Sequence, residues 1–171
     1  MKTNYGLFIL LTGCLTVPSA AAPNYDILLP SYPPNGMVIG PAGLNDLNQI
    51  TGPANGMPAA PYLWQDGTLT ELPMLCGFEY LYHDVNNAGR IVGSDDNSAG
   101  FLWNGTQVIR LGTLGGSGSM PFALNESDQV AGSSQTATVN ETAPFLWQNN
   151  AMISLGTLGG HFGRAYAINN H

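Results

Sequence analysis

Basic charge is nearly missing from this 171-residue chain, with four Lys and Arg against eleven Asp and Glu and a formal net charge of −7. A surface of that sign repels phosphate backbones and anionic lipid, which argues against nucleic acid as a partner. Charge of either sign is scarce as well, at 9 % of residues, while 22 glycines and 12 prolines punctuate a chain that is 44 % hydrophobic. So much turn punctuation among so few helix formers predicts an all-β fold. Cysteine is almost absent too: Cys14 and Cys76 are the two in the chain.

Residues 1–22 read as a secretory signal. Lys2 precedes an apolar stretch from Tyr5 to Leu11, and the small residues Ser19 to Ala22 suit cleavage after Ala21 or Ala22. The apolar stretch is too short to be a membrane span. Leu11, Thr12, Gly13 and Cys14 also resemble a bacterial lipobox, in which Cys14 would become a lipidated first residue. Either processing route places the chain outside the cytoplasm, secreted or held in the cell envelope. Loss of the leader removes Lys2, which leaves Arg90, Arg110 and Arg164 as the basic residues. Cys76 is then a lone cysteine that cannot form an intramolecular disulfide, and it reads as a small apolar filler.

What the remainder, residues 23–171, does contain is repetition. PYLW, GFLW and PFLW end at Trp64, Trp103 and Trp147. LNDLNQITG (Leu44 to Gly52), VNNAGRIVG (Val85 to Gly93) and LNESDQVAG (Leu124 to Gly132) align without gaps, with Asn45, Asn86 and Asn125 in register and Asn169 as a fourth member in INN. LGTLGG occurs twice, at Leu111 to Gly116 and Leu155 to Gly160, and aligns with LPMLCG after Leu72 and more faintly with LPSYPP after Leu29. Repeats therefore start near 29, 72, 111 and 155, with a period of about 42 residues.

Each period carries four short aromatic or β-branched runs bounded by Gly, Asn, Asp and Pro, which is the strand signature. The apolar-Asn runs are Tyr82 to Val85, Phe122 to Leu124 and Tyr166 to Ile168. The connections NDLN, NNAG and NESD read as hairpin turns, and so do QDG, NG and QNN after the tryptophans. Four antiparallel strands in that span is the size of one propeller blade. The expected architecture is an incomplete propeller-like array of about three and a half such repeats, whose last repeat stops after INN. Further repeats or another chain would complete it.

Chemistry-bearing motifs are few. A phosphate-cradling reading of LGTLGG fails, because no Lys and no Ser or Thr opens a helix behind it. GGSGS (Gly115 to Ser119) does not match a nucleophile elbow. Asp95, Asp96 and Asn97 place oxygen ligands of the calcium type on one loop, but the other repeats lack them and the full loop signature is missing, so a solvated turn is the plainer reading. No other cofactor is indicated. Asp84 stands where the other repeats have Gly43, Ala123 and Ala167, and His83 stands where they have Phe122 and Tyr166, which suggests a ring position. The tryptophans could stack on sugar, yet their fixed place behind an aromatic-Leu pair marks them as core.

LGTLGG, an apolar-Asn turn, a QVAG return and PFLW together resemble the HAF repeat of bacterial extracellular proteins over residues 25 to 171. The chain departs from that pattern in having Ala-Pro or Ala-Gly where the name-giving His-Ala stands, as in APYLW, AGFLW and APFLW. The resemblance implies a secreted or surface β-repeat protein of undetermined activity, and it supplies no catalytic residues. The leading expectation is a noncatalytic scaffold that binds a surface protein or glycan. Its rivals are a propeller hydrolase or lyase using Asp84, Asp95 and Asp96, and a truncated fragment of a longer repeat protein. Within LGTLGG, the first leucine is expected to end a strand, the second to pack beneath the connection, and the two closing glycines to turn the chain.

Overall fold

A computed structural model describes residues 38–39, 41–55, 60–72, 81–95 and 97–171. The leader, Cys14, the run ending at Leu29, Cys76 and Asp96 lie outside the described residues. Those described are all β, in three antiparallel sheets, none of them closed. The first holds β1 (Val38–Ile39), β2 (Gly43–Leu44), β3 (Ile50–Asn55), β4 (Ala60–Gln65) and β5 (Thr68–Glu71). Because β1 and β2 share one edge of β3 while β4 takes the other, this sheet is four strands wide. The second comprises β6 (Leu81–Val85), β7 (Ile91–Ser94), β8 (Gly100–Trp103) and β9 (Val108–Arg110), and the third β10 (Gly115–Leu124), β11 (Val130–Thr136), β12 (Thr142–Gln148) and β13 (Ala151–Ser154). In the second and third, chain order is also spatial order, so each is a meander.

Turn chemistry sets the register. Asp66 and Gly67 (φ 49° and 82°) and Asn149 and Asn150 (φ 52° and 61°) supply the paired left-handed residues that a two-residue hairpin requires. In NDLN, NNAG and NESD the fourth residue is left-handed, namely Asn48 (φ 59°), Gly89 (φ 70°) and Asp128 (φ 60°). Asn, Asp and Gly are the residues that take this conformation at least cost.

Strand alternation then sends apolar side chains to both faces, and successive sheets share cores. Leu63 and Leu72 from the first sheet pack with Val85, Ile91, Phe101, Trp103 and Val108 from the second. Val92, Leu102, Ile109 and Leu111 meet Leu114, Leu124, Val130, Phe145, Trp147 and Met152 of the third. Each fully buried leucine or phenylalanine contributes about 1.5–3 kcal/mol through its removal from water. Trp147 is buried and Trp103 partly buried in these cores, while Trp64 is buried in a separate cluster of the first sheet with Ile50, Tyr62 and Leu69.

Two expectations change, the first only in part. In the first LGTLGG the chain bends with positive φ at Gly112 (78°) and again at the closing Gly115 (102°), but both closing glycines already belong to β10 and Gly116 runs on as strand. The physical reason is a close approach of backbone: a Cβ on Gly116 would lie 2.4 Å from Gln135 Cβ and 2.7 Å from the Gln135 carbonyl carbon. The run Tyr166 to Ile168 is not a strand in the structure. It lies against the third sheet through the Ala165 N–H, which donates to the Gly132 carbonyl at 3.2 Å, and through Tyr166, whose ring meets Phe122 at 5.1 Å.

Candidate functional site

The most organised polar feature is built from the asparagines that recur with the repeat. Asn45 Oδ1 accepts from the Leu47 and Gln49 N–H groups at 3.0 and 2.9 Å, which closes its own hairpin. Asn86 does the same with Ala88 and Arg90, and Asn125 with Ser127 and Gln129. The other end of each amide reaches the next repeat. Asn45 Nδ2 donates to the Asn86 carbonyl at 2.8 Å, Asn86 Nδ2 to the Asn125 carbonyl at 3.1 Å, and Asn125 Nδ2 to the Asn169 carbonyl at 2.9 Å. Asparagine is suited to this place because its side chain carries an acceptor and two donors in one plane; Asp would lack the donor and Ser the reach.

A second series runs beside the first. The Asp46 N–H donates to Asn87 Oδ1, the Asn87 N–H to the Glu126 carboxylate, and the Glu126 N–H to Asn170 Oδ1. These four residues were not singled out in the sequence, although the column Asp, Asn, Glu, Asn directly after the aligned asparagines carries a side-chain acceptor in every member. Side-chain pairs fill in the remainder. Gln49 donates to Gln65 at 2.9 Å and Gln129 to Gln148 at 2.8 Å, while in the middle repeat Arg90 pairs with Asp128. The asparagine ladder is thus a stitch between sheets, buried at its two middle members, Asn86 (2 % exposed) and Asn125 (4 %), half-buried at Asn45 and exposed at Asn169.

The carboxylates considered as chemical groups occupy structural bonds. Asp84 Oδ2 accepts from the Leu124 N–H at 2.8 Å, across to the third sheet, and Oδ1 from the Val85 N–H at 2.9 Å. Burial pushes its carboxyl above the ordinary value, the two N–H bonds oppose that rise, and the charge of Glu126 adds to it. Gly43 is required opposite, since a Cβ there would sit 2.7 Å from Asp84 Cα. Asp95 Oδ1 accepts from the Asn97 and Ala99 N–H groups, the same i+2 and i+4 pattern as the ladder asparagines, and Oδ2 receives Arg110 at 2.6 Å. Asp84 and Asp95 belong to opposite ends of β7, because Val85 pairs with Ile91 and Leu81 with Ser94. Among the described residues, no group of three or more His, Cys, Asp or Glu is placed to hold a metal ion.

His83 takes the ring position that the repeat suggests, stacked edge-on against Phe122 at 5.9 Å, with Phe122 in turn against Tyr166. Its Nε2 is buried with no hydrogen-bond partner among the described residues, and burial lowers its pKa. Tyr62, buried in the first sheet, has its phenol pushed up to about 12 by the same cause. A shallow groove lies at the edge of the third sheet, lined by Ser117, Gln135, Thr138, Asn140, Glu141 and Phe162 among others. No helix among the described residues is long and apolar enough to cross a membrane. In comparisons with known proteins, no family model, no curated protein and no solved structure matches this chain.

Proposed function

We propose that this chain is a secreted or cell-surface β-repeat protein that works as a noncatalytic binding scaffold, its sheets arranged in a propeller-like array of HAF-type repeats. The observation that carries this reading is the state of the candidate carboxylates. Among the described candidates, each oxygen of Asp84 and of Asp95 accepts at least one bond from a backbone N–H group or Arg110, so both side chains help to hold turns and sheets. A carboxylate acting as general acid or base must instead face the proton that it transfers. The ladder supports the same reading, since it fixes the relative position of one turn per repeat and leaves the side chains next to it on the surface.

The partner class is a surface protein or a glycan. Loops held by a rigid scaffold are the usual bearers of such contacts. The test uses the processed full chain against a panel of immobilised polysaccharides and envelope proteins, read by surface plasmon resonance, with soluble products followed in parallel. Saturable binding without product supports the scaffold. Turnover that is lost in Asp84→Asn or Asp95→Asn would overturn it in favour of the hydrolase or lyase. The mass of the mature N-terminus from an expressing bacterium separates the two processing routes, because cleavage after Ala21 or Ala22 leaves an unmodified chain and lipidation leaves an acylated Cys14.

A further inference from the structure

The hairpin between β11 and β12 runs further than its counterpart in the second sheet. β7 and β8 end at the pair Ser94 and Gly100, whereas β11 and β12 pass the equivalent pair, Ser133 and Pro144, and add Ser134 with Ala143 and Gln135 with Thr142. β10 accompanies them with an irregular register between Gly115 and Ser119. Irregular stretches of this kind re-aim side chains and are common beside binding sites. The groove at this edge lies over that stretch and holds about 740 Å³. Small-molecule sites span about 300–1,000 Å³. Its walls are the start of β10, the extended end of β11 and the turn into β12, all of one sheet. Phe162 borders it, held where the Thr142 N–H donates to the His161 carbonyl and the Gly163 N–H to the Thr142 carbonyl, both at 2.9 Å.

The polar groups on these walls are held in place yet unpaired. Gln135 Oε1 accepts from the Ser117 N–H at 3.2 Å and from the Ser117 hydroxyl, which fixes the amide and leaves both Nε2 donors without a partner among the described residues. The turn is closed by its own backbone: the Thr136 N–H donates to the Glu141 carbonyl at 3.1 Å, the Glu141 N–H to the Thr138 carbonyl at 3.3 Å, and the Thr138 N–H to Thr136 Oγ1 at 3.1 Å. Along the groove, the side-chain polar atoms of Thr138, Asn140 and Glu141 have no bond to any described residue. Groups ordered in advance lose less freedom when a ligand arrives.

The lining contains no Lys, Arg or His, and its single charged side chain is Glu141, so an anion finds no counter-charge there. It also holds no Trp, Tyr or Arg, the anchors on which protein interfaces mostly depend. What it offers is one carboxamide with two donors, a second with donors and an acceptor, a hydroxyl and a carboxylate. Neighbouring hydroxyls on a sugar ring, each donor and acceptor at once, match that set. From this geometry we infer that the groove binds a neutral oligosaccharide, with Gln135 Nε2 and the Asn140 amide bonded to sugar hydroxyls and Glu141 accepting from another. The inference rests on the reading of this chain as a noncatalytic binding scaffold and narrows its partner to a glycan.

The experiment is isothermal titration calorimetry of the processed full chain, of Gln135→Glu and of Asn140→Gly with neutral trisaccharides of glucose, mannose and galactose, and with trigalacturonic acid as the anionic comparison. Gln135→Glu keeps the oxygen that accepts from Ser117 and removes both donors. Asn140→Gly removes the amide and keeps the left-handed turn (φ 59°), which glycine adopts without strain. Both positions are exposed, and each variant is first checked for unchanged circular dichroism. A neutral trisaccharide should bind the wild type, and each variant should bind it on the order of tenfold more weakly. Trigalacturonic acid should bind less well than the galactose trisaccharide. Failure of every neutral trisaccharide to bind, or a preference for the anionic one, overturns the proposal. Neutral binding that both variants leave unchanged overturns it too, and the scaffold reading then survives with its glycan site elsewhere. A protein partner whose binding both variants weaken, with no trisaccharide competing, overturns it in favour of a protein in the groove. Release of shorter sugars would overturn the noncatalytic reading alone, since the affinities of the variants still decide the groove.

Discussion

The two copies of LGTLGG begin alike and end differently. Gly112 and Gly156 adopt nearly the same left-handed bend, φ 78° and 76°, so the first turn of each copy is set by the six residues themselves. Gly115 and Gly159 share a second positive φ, 102° and 92°, yet the surroundings of the two copies part. In the first, the Leu114 N–H donates to Ser134 Oγ at 2.9 Å, Leu114 bridges to Thr136, and Gly115 enters β10 alongside β11. In the second, Leu158 turns to φ 55° in solvent and the Gly160 N–H closes back on the Thr157 carbonyl. Both copies are tied to a strand, the second through the Leu155 N–H to the Pro144 carbonyl at 2.9 Å, but only the first has its leucines covered by a neighbouring sheet among the described residues. Local chemistry fixes the bend, and tertiary neighbours decide the path of the chain after it, which is the expected division when propensity is weak and packing is strong.

That division predicts a large asymmetry on truncating the leading leucines. Leu111 is 4 % exposed within the core between the second and third sheets, so Leu111→Ala should cost about 2–5 kcal/mol. Leu155→Ala should remain within about 0.5 kcal/mol, as surface substitutions do. Urea unfolding at low protein concentration compares them directly. Should the two variants lose similar stability, Leu155 is covered in solution and the contrast between the copies belongs to the isolated chain alone.

Much of the frame was legible before the structure. Trp and Leu columns, short aromatic or β-branched runs and the Asn, Asp and Gly of the turns all state local preferences, and strands formed at most of those runs, Tyr166 to Ile168 excepted. The pairing between sheets was not legible in the same way. Asn45 and Asn86 are 41 residues apart, and nothing in either turn says that an amide of one reaches the carbonyl of the other. Asp84 shows the same limit, because its partner, the Leu124 N–H, is 40 residues distant and belongs to another sheet. The role of Gly116 depends on Gln135 passing beside it, and six letters repeated elsewhere without that neighbour carry no sign of it.

The ladder gives the next contrast between interior and end. Asn86→Asp keeps the oxygen that closes its own hairpin but places a second oxygen toward the Asn125 carbonyl and Asp128 Oδ1, which Nδ2 now meets at 3.1 and 3.2 Å. Loss of the donor in a buried site should cost about 1–3 kcal/mol at neutral pH. Acid should restore part of it, because a protonated carboxyl can donate to the carbonyl again. Asn169→Asp, at the exposed end, should change stability by no more than about 0.5 kcal/mol. Thermal unfolding of both variants at neutral and acidic pH tests the pair. An equal cost at both positions would show that the turn, and not the stitch between sheets, is what the asparagine supplies.

The smallest effect concerns the ring column, where His83 lies within the stack and Tyr166 at its end. Burial depresses the pKa of His83 below its ordinary 6.5, so the folded chain takes up this proton less readily than the unfolded chain does. The resulting contribution is fully present above pH 6.5 and is lost as pH falls from there through the folded value, because protonation then favours the unfolded chain. Asp84 works in the opposite sense: its raised pKa favours the folded state below 3.8, and that contribution is lost as pH rises through the folded value. The slope below 6.5 is therefore assigned to His83 by difference. His83→Phe, which installs the residue found at Phe122, keeps an apolar ring in the stack and removes the titrating group together with its unpaired Nε2. Urea midpoints taken between about pH 7.5 and 5 should fall for the wild type and fall less for the variant. Parallel slopes would mean that His83 reaches water in solution and that the column packs less tightly there than its rings indicate.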